Sequence, residues 1–224
     1  EKIDDNAAKK ITVPKKKRNI TKELESFEKD LESYEKIVLV VHTQPSMAGI
    51  HKTKPEVFEI SVGGKIADAF SYAKEKLGLD LPVDDVLKAG AFVDTIAITK
   101  GHGFQGSIKR FGVHLLPKKS QKLRRKAANL GGFHPHKVKR TVPQMGQTGY
   151  HKRTDYNKRI ISISNDKDQI NADGWHSYGL VKSSYVLLAG SVPGSRKRLI
   201  RIRNAVRDSK GKLKEPQVVS VYAK

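Results

Sequence analysis

The chain has 224 residues, of which 30% are charged, and its formal net charge of +21 sets it apart from an ordinary enzyme. It contains no cysteine, which excludes disulfide frameworks and thiolate metal sites, and no apolar run reaches the roughly 18 residues that a membrane span requires. With 37% apolar residues it can still bury a core, in one domain or two small ones.

The first 20 residues are polar and end in the basic run Pro14–Arg18. This run fits a solvated segment, a localisation signal or a contact with phosphate. From Thr21, apolar residues recur at helical spacing, which predicts a helix that Thr21 caps. Because this helix carries more acid than base, we expect it to face away from any polyanion. Its apolar positions are Leu24, Phe27, Leu31 and Tyr34.

Short apolar segments after this helix predict that residues 21–94 form an α/β part. Gly78 is a natural stop for the second helix of this part. Strands are predicted at Lys36–His42, Val57–Val62 and Ala91–Thr99, and helical segments at Lys65–Leu77 and Val83–Lys88.

The next stretch, Thr95–Thr154, contains no Asp or Glu but has 14 Lys and Arg residues and five His; we call it the acid-free stretch. So much positive charge disfavours a compact state through self-repulsion, and a polyanion cancels it. Only Gln121–Ala128 is predicted to be helical. Because a loop of this length is unusual inside a compact domain, we predict that residues 95–158 form an irregular basic extension ordered on a nucleic acid.

Regular structure returns after the extension as short β-rich segments, separated by clusters of Gly, Asn, Asp and Pro. Such spacing is typical of a small barrel or sandwich, so residues 159–224 are predicted to supply strands of a mainly β fold. The predicted strands are Arg159–Ser164, Tyr185–Ala189, Leu199–Val206 and Val218–Tyr222.

The segment Gly101–Gly106 reads GHGFQG and matches the glycine pattern of dinucleotide sites. Such a site needs a helix after the third glycine and an acidic residue about 20 positions further on. Here Phe111-Gly112 interrupts any helix early, and no acid occurs before Asp155. We therefore favour glycines that let the backbone approach a phosphate over a nucleotide pocket.

His134 and His136 flank Pro135 and could form a metal pair, but they lie among cations without a local carboxylate or thiolate. A hydrolytic histidine also needs an orienting carboxylate, which a distant residue such as Asp94 or Asp155 would have to supply. We favour histidines that donate to phosphate, sugar or base edges, and catalysis stays as an alternative.

Phe133 and the segment Ser191–Arg203 each allow two interpretations. Phe133 either packs in an irregular core or stacks on bases of RNA. Trp175 is predicted to pack in a core. In Ser191–Arg203, cations alternate with apolar residues, which predicts either a strand with a phosphate-contacting face or a solvated edge strand.

Four blocks, in this order, resemble the universal large-subunit ribosomal protein L-three family in its archaeal and eukaryotic form. The resemblance runs from about Val57 to the C-terminus. The blocks are Thr99–Arg110 (TKGHGFQGSIKR), Leu130–Pro135 (LGGFHP), Thr141–Asn157 (TVPQMGQTGYHKRTDYN) and Gly190–Arg203 (GSVPGSRKRLIRIR).

The resemblance implies a translation-factor-like β-barrel, from which a long extension enters ribosomal RNA and approaches the peptidyl transferase centre. The α/β part at residues 21–94 is then a small α/β insertion packed on the barrel. It also implies a structural role without catalytic residues, in support of early subunit assembly. By the same resemblance, the strand-to-arm junction is Lys100–Arg110, the finger tip is Gly131–Pro135 and the returning limb is Gly146–Lys158.

Three features depart from the family pattern. Phe133 stands where the family usually has tryptophan, so the ring that can stack is smaller and lacks an indole donor. Gln121 stands where eukaryotic members often carry histidine, in a loop where side-chain methylation is known. The family's N-terminal part, which contributes barrel strands, is missing from this chain, so either residues precede Glu1 or the barrel is completed otherwise.

The residues and the resemblance together predict a structural rRNA-binding protein of the large ribosomal subunit, of archaeal type, with no cofactor, metal or membrane partner and no small-molecule substrate. Its predicted partners are large-subunit ribosomal RNA and neighbouring ribosomal proteins, in the cytoplasm. An RNA-processing or RNA-modifying enzyme and a DNA-architectural protein are the alternatives. The residues predicted to bind RNA are Lys100, His102, Lys109, Arg110, Lys118, Lys119, Lys122, Arg124, Arg125, Lys126, Phe133, His134, Lys137, Lys139, Arg140, His151, Lys152, Arg153, Lys158, Arg159, Arg196, Lys197 and Arg198.

Overall fold

The computed structural model of this chain describes residues 5–12, 19–127, 129–172, 174–207, 216–219 and 221. Strand outweighs helix among them, 26% against 18%, which confirms the prediction of a mainly β fold. The basic run Pro14–Arg18 lies outside the described residues.

The described residues form two compact units. The first unit takes the described parts of residues 1–89, 161–187 and 215–224, and the second takes those of 90–160 and 188–214. The helices are α1 (Asp5–Ala8), α2 (Ile20–Lys29), α3 (Ile66–Lys76) and α4 (Ser107–Phe111), with 3-10 turns at Leu31–Ser33 and Val83–Asp85. The strands are β1 (Ile37–His42), β2 (Val57–Val62), β3 (Phe92–Ile98), β4 (Gly101–Gln105), β5 (Gly146–Gly149), β6 (Lys152–Ser164), β7 (Tyr185–Leu188) and β8 (Arg201–Asn204).

The first unit contains an antiparallel pair, β1 and β2, whose register runs from Ile37 opposite Val62 to His42 opposite Val57. The β-branched content of both segments favours this extended pairing. Helix α3 packs on β1, and Gly78, at φ +81°, follows its C-terminal end as predicted. These elements lie within a residue of their predicted positions.

Helix α2 differs from its prediction at both ends. It begins at Ile20, with Asn19 as the N-cap residue, and the Thr21 hydroxyl donates to Oδ1 of Asn19 at 2.6 Å. Thr21 is therefore not the cap. The helix ends at Lys29, before Tyr34, whose ring meets Phe27 edge-on at 6.0 Å between centroids. A 3-10 turn at Leu31–Ser33, rather than a continued helix, thus precedes Tyr34, which contacts Phe27.

The second unit is built on β3, which pairs antiparallel with β6 on one side and β8 on the other. The order of these three strands is β6-β3-β8. Burial is deepest on β3, where Val93 and Thr95 have no exposed surface, and on β6 at Ile160. The core of this unit therefore lies along β3.

A bulge interrupts the pairing of β3 with β6. Val93 lies opposite Lys158, whereas Thr95 lies opposite Asp155, so β6 has one residue too many between these pairs. Asn157 is in the left-handed region at φ +55°. Its backbone N–H, which the ladder leaves free, donates to Oδ1 of Asp94 at 3.1 Å. The carboxylate of β3 thus satisfies the donor that the bulge exposes.

No closed barrel is present in the part of the chain that the structure describes. Its strands form one four-stranded sheet and two pairs, and none of these sheets closes on itself. The strand predicted at Val218–Tyr222 is wrong for Val218, Val219 and Val221, which are irregular. Val219 is 96% exposed, so no neighbouring strand covers it, and Tyr222 lies outside the described residues.

The helix predicted at Gln121–Ala128 is also wrong for its described residues, 121–127, which form turns. Gln121 and Lys122 have φ values of +30° and +58°, which a right-handed helix does not admit. Ala128 lies outside the described residues. The same extension contains a strand pair, β4–β5, that was not predicted, because glycines replace the apolar alternation of a recognisable strand.

Candidate nucleic-acid interface

The acid-free stretch leaves the sheet of the second unit as two paired limbs. Beyond the last rung of β3 and β6, Thr99 N–H donates to the carbonyl of His151 at 2.9 Å, and Tyr150 N–H donates to the carbonyl of Lys100 at 3.2 Å. The pairing then continues as β4–β5, from Gly101 opposite Gly149 outward. The root of the extension is therefore a two-stranded ribbon, in which backbone hydrogen bonds join the two limbs.

Close backbone approach at this root requires a glycine. Gly149 has φ +79°, and a Cβ at this position would collide with the carbonyl oxygen of Lys100. No other residue fits without moving one limb, because both the backbone conformation and the space exclude a side chain. Gly149 thus fixes the distance between the limbs where they leave the sheet.

Arg110 holds the outgoing limb to the returning limb. It lies on α4, a five-residue helix that ends at Gly112 in the left-handed conformation, φ +69°. Its Nε donates to the carbonyl of Gln147 and its Nη1 to that of Gln144, both at 3.0 Å. Two donors of this predicted RNA ligand are thus used within the protein, whereas Lys109 beside it is exposed.

Residues 117–126 form a closed loop that is rich in Lys and Arg, which we call the basic loop. Buried Ser107 donates from Oγ to the carbonyl of Arg125 at 3.2 Å, and Leu116 N–H donates to the carbonyl of Arg124 at 3.2 Å. These bonds fix the backbone and leave the side chains outside. The exposed cations of the loop are Lys118, Lys119, Lys122, Arg124, Arg125 and Lys126.

The predicted tip of the extension exposes its aromatic ring. Phe133 is 78% exposed, so the interpretation that it packs in an irregular core is wrong. Its ring lies edge-on to those of His134 and His136, with centroids 5.1 and 4.5 Å away. The three rings form an exposed aromatic cluster. In the described part of the chain, no group of three or more His, Cys, Asp or Glu side chains could hold a metal ion there or elsewhere.

A second basic segment lies beside the root. Arg196 and Lys197 are exposed, but Arg198 is half-buried. Its Nη1 donates to the carbonyls of Ile98 and Thr99 at 3.0 and 2.8 Å, and its guanidinium lies 5.2 Å from the centroid of the Tyr150 ring. Arg198 therefore ties the end of β3 to the returning limb.

The acids that could orient a catalytic histidine have other partners. Burial alone would raise the pKa of Asp94, but N–H groups of Asn157 and Val206 and the Arg203 guanidinium stabilise its carboxylate and hold the pKa below its ordinary value. Oδ2 of Asp155 lies 3.7 Å from Nζ of Lys158. Neither carboxylate has a histidine as its partner.

The remaining predicted RNA ligands mostly face solvent. Of the whole predicted set, only Arg110, Lys158, Arg159 and Arg198 are half-buried rather than exposed. Among the residues that the structure describes, no Lys or Arg of the acid-free stretch forms an ion pair with a carboxylate. The exposed members outside the basic loop and the tip are Lys100, His102, Lys109, Lys137, Lys139, Arg140, His151, Lys152, Arg153, Arg196 and Lys197.

The glycine motif GHGFQG occupies strand β4 rather than a loop between a strand and a long helix. Gly106 caps α4, which is only five residues long. This geometry does not match a dinucleotide site, in which the pyrophosphate lies at the start of a full helix. Phe104 inside the motif, which is 71% exposed, is absent from the residues predicted to bind RNA. An aromatic residue between glycines in a basic segment was the available signal.

Helices long and apolar enough to cross a membrane are absent from the described residues.

Comparison with known proteins assigns the chain to a family. The family model described as "Ribosomal protein L3" matches residues 2–224. Relatives named large ribosomal subunit protein uL3 include that of Methanothrix harundinacea, 42% identical over 99% of this chain and 67% of the relative. That of Picrophilus torridus is 48% identical over 82% of this chain and 57% of the relative. That of Archaeoglobus fulgidus is 40% identical over 98% and 66%.

The chain thus spans roughly two thirds or less of the length of these archaeal relatives. The match nevertheless covers nearly all of its own residues, including the ribbon, the basic loop and the aromatic cluster. On this basis the chain belongs to the ribosomal protein L3 family.

Proposed function

We propose that this chain is a structural, non-catalytic component of the large ribosomal subunit, and that its acid-free stretch binds ribosomal RNA. The observation that carries the proposal is the exposed positive charge of this stretch, which no carboxylate neutralises within the described residues. Phosphates supply the missing negative charge, and the release of their counterions favours binding. The names of the relatives agree with this role.

The extension, residues 95–158, enters the RNA with its root held by protein contacts. Gly149, Arg110 and Arg198 fix the root. The basic loop and the tip present cations and aromatic rings to the RNA. A fixed root with an RNA-facing loop and tip suits an arm whose outer part becomes ordered when it binds RNA. Phosphate contacts can position such an arm even if its outer part is not ordered in the free protein.

Finer features of the family extend the proposal. The four-stranded sheet forms part of a translation-factor-like barrel, and the tip at Gly131–Pro135 approaches the peptidyl transferase centre. The chain supports subunit assembly in the cytoplasm, beside neighbouring large-subunit ribosomal proteins. These features rest on the family and on the match of Gly131–Pro135 to its finger tip.

Charge reversal in the basic loop tests the proposal. The variant Arg124→Glu/Arg125→Glu/Lys126→Glu should lower incorporation into large subunits at least about tenfold, because it changes phosphate contacts into repulsions. A matched control, Lys22→Glu/Lys29→Glu/Lys36→Glu, makes the same change of charge at exposed lysines of the first unit. Incorporation is measured as the ratio of tagged to untagged chain in purified subunits.

We expect the control triple to incorporate normally and both variants to keep the thermal stability of the original chain. Equal loss of incorporation in the two triples would contradict a specific role for the acid-free stretch. Equal loss of stability and incorporation in the loop variant would show that the loop supports the fold instead.

A further inference from the structure

The ribbon β4–β5 has two faces with different surroundings. Residues opposite each other in an antiparallel pair point to the same face, and neighbours along a strand point to opposite faces. Gln105 and Gly146 are opposite each other, as are Phe104 and Gln147. The first pair therefore marks one face and the second pair marks the other.

Protein covers the face of Gln105 and Gly146. A Cβ on Gly146 would lie 2.9 Å from Nη1 of Arg110, so this arginine of α4 rests directly on the strand. Gln105 and Thr148 on the same face are half-buried. The Gln105 amide is used as well, because its Nε2 donates to the carbonyl of His102 at 2.8 Å.

The face of Phe104 and Gln147 is open. Phe104 is 71% exposed, and Gln147 opposite it is also exposed. Within the described part of the chain, the Gln147 carboxamide has no hydrogen-bond partner. His102, the extra residue at the bulge between Gly101 and Gly103, is also exposed. The open face thus combines one aromatic ring with groups that donate and accept hydrogen bonds.

We propose that this open face binds one unpaired nucleotide of RNA, with the Phe104 ring stacked on its base. Gln147 and His102 supply hydrogen bonds to the edge of that base or to its sugar. This inference rests on the proposed function and deepens it, because it adds a base-binding site at the root of the extension, separate from the predicted tip at Phe133.

The charge of the surroundings favours RNA over a protein partner. The ribbon lies wholly inside the acid-free stretch, and the exposed residues Lys100, Lys109 and Lys152 flank it in the sequence. An aromatic ring among cations, with amide and imidazole groups alongside, is the combination with which proteins hold single-stranded RNA. A phosphate backbone satisfies the cations while a base covers the ring.

Site-directed photocrosslinking tests the identity of the occupant. The variant with p-benzoylphenylalanine at Phe104, assembled into large subunits in cells, should crosslink to ribosomal RNA on irradiation. The matched control carries the same group at Leu79, which is 67% exposed but belongs to the first unit beside Asp80. We expect at least about fivefold less RNA crosslinking at this control position.

Three results would overturn the inference: crosslinking of position 104 to a protein, no RNA crosslink there, or equal RNA crosslinking at both positions. The test applies to subunits that contain the tagged chain. Failure of the chain to enter subunits would instead overturn the proposed function, so the two failures are distinguishable.

Chemical probing of the RNA then tests stacking itself. In subunits with Phe104→Ala, one nucleotide or a short run should become at least about fivefold more reactive at the base, as expected for the loss of one stacked ring. Phe104→Tyr should restore protection, whereas Phe104→Leu should not. Unchanged reactivity with Phe104→Ala, or equal protection by Tyr and Leu, would contradict a stacked base.

Discussion

Arg203 Nε lies 3.2 Å from Oδ2 of Asp94, a carboxylate without exposed surface in the middle of β3. This pair joins β3 to β8, and the same carboxylate accepts the N–H groups of Asn157 and Val206. The Asp94 carboxylate therefore connects β3 to Asn157 of β6, to Arg203 of β8 and to Val206 after β8.

We predict that Asp94→Asn lowers the free energy of unfolding at neutral pH by about 2 kcal/mol, because charge-assisted hydrogen bonds are lost in a buried site. Thermal or denaturant unfolding of the purified chain measures this loss. Asp155→Asn is the matched control, because Asp155 is partly exposed and pairs only at 3.7 Å with Lys158. Its expected cost is at most about 0.5 kcal/mol.

The dependence of stability on pH should differ between the original chain and Asp94→Asn. The pKa of Asp94 is lowered in the fold, so its contribution is complete above the ordinary Asp pKa and is lost as pH falls through the lowered value. The original chain should therefore lose more stability than Asp94→Asn on acidification below about pH 4. Parallel stability profiles for the two proteins would contradict this role.

Arg198 should stabilise the fold of the free chain, in the absence of RNA. Arg198→Met removes the donor to the carbonyls of Ile98 and Thr99, and we expect it to destabilise the free chain by about 1.5–3 kcal/mol. Arg196→Met, at an exposed site two residues earlier, should leave unfolding unchanged within about 0.5 kcal/mol. If the free chain unfolds normally in Arg198→Met, the arginine has no role in holding the root.

Gly149→Ala should be one of the most damaging changes in the ribbon, because the added Cβ meets the carbonyl of Lys100. The control is Gly103→Ala, which has a similar φ of +66° but open space around its Cβ. Backbone conformation alone costs about 1–2 kcal/mol, so Gly103→Ala measures that part. Hydrogen exchange of the Tyr150 amide should be faster in Gly149→Ala than in the control, and equal rates would exclude a steric effect.

Phe133→Ala should leave the abundance of large subunits nearly normal but change drug sensitivity or fidelity at the peptidyl transferase centre. The ring is 78% exposed, so the fold loses little when it is removed. Phe133→Trp, which introduces the residue that the family resemblance predicts at this position, should behave more like the original chain. Unchanged drug sensitivity in a normal particle would contradict a role of this ring near that centre.

Local periodicity explains which elements could be predicted. Strands β1 and β2 and helix α3 carry their apolar pattern within each segment, and they were placed to within a residue. The first half of β6, Lys152–Lys158, was not predicted, because its sequence is polar and shows no strand pattern. It is extended because it pairs with β3. The ribbon β4–β5 was missed for a similar reason, since glycines give it no pattern.

The site could be predicted in its charge but not in its contacts. The absence of acids from Thr95 to Thr154 is visible in the sequence and marks the candidate RNA surface. The sequence does not show that the Arg198 guanidinium donates to a carbonyl 100 positions away, because such partners depend on the fold. Phe104 could not be singled out as an RNA ligand, because its exposure depends on which face of the ribbon α4 covers.

Sedimentation of the tagged chain from a cell lysate, with a high-salt wash, tests the central claim most directly. The chain should remain with the large subunit through the wash, because an extension threaded into RNA cannot leave when salt weakens surface contacts. Loss of the chain in the wash, or its sedimentation apart from the subunit, would contradict a structural role in the large ribosomal subunit.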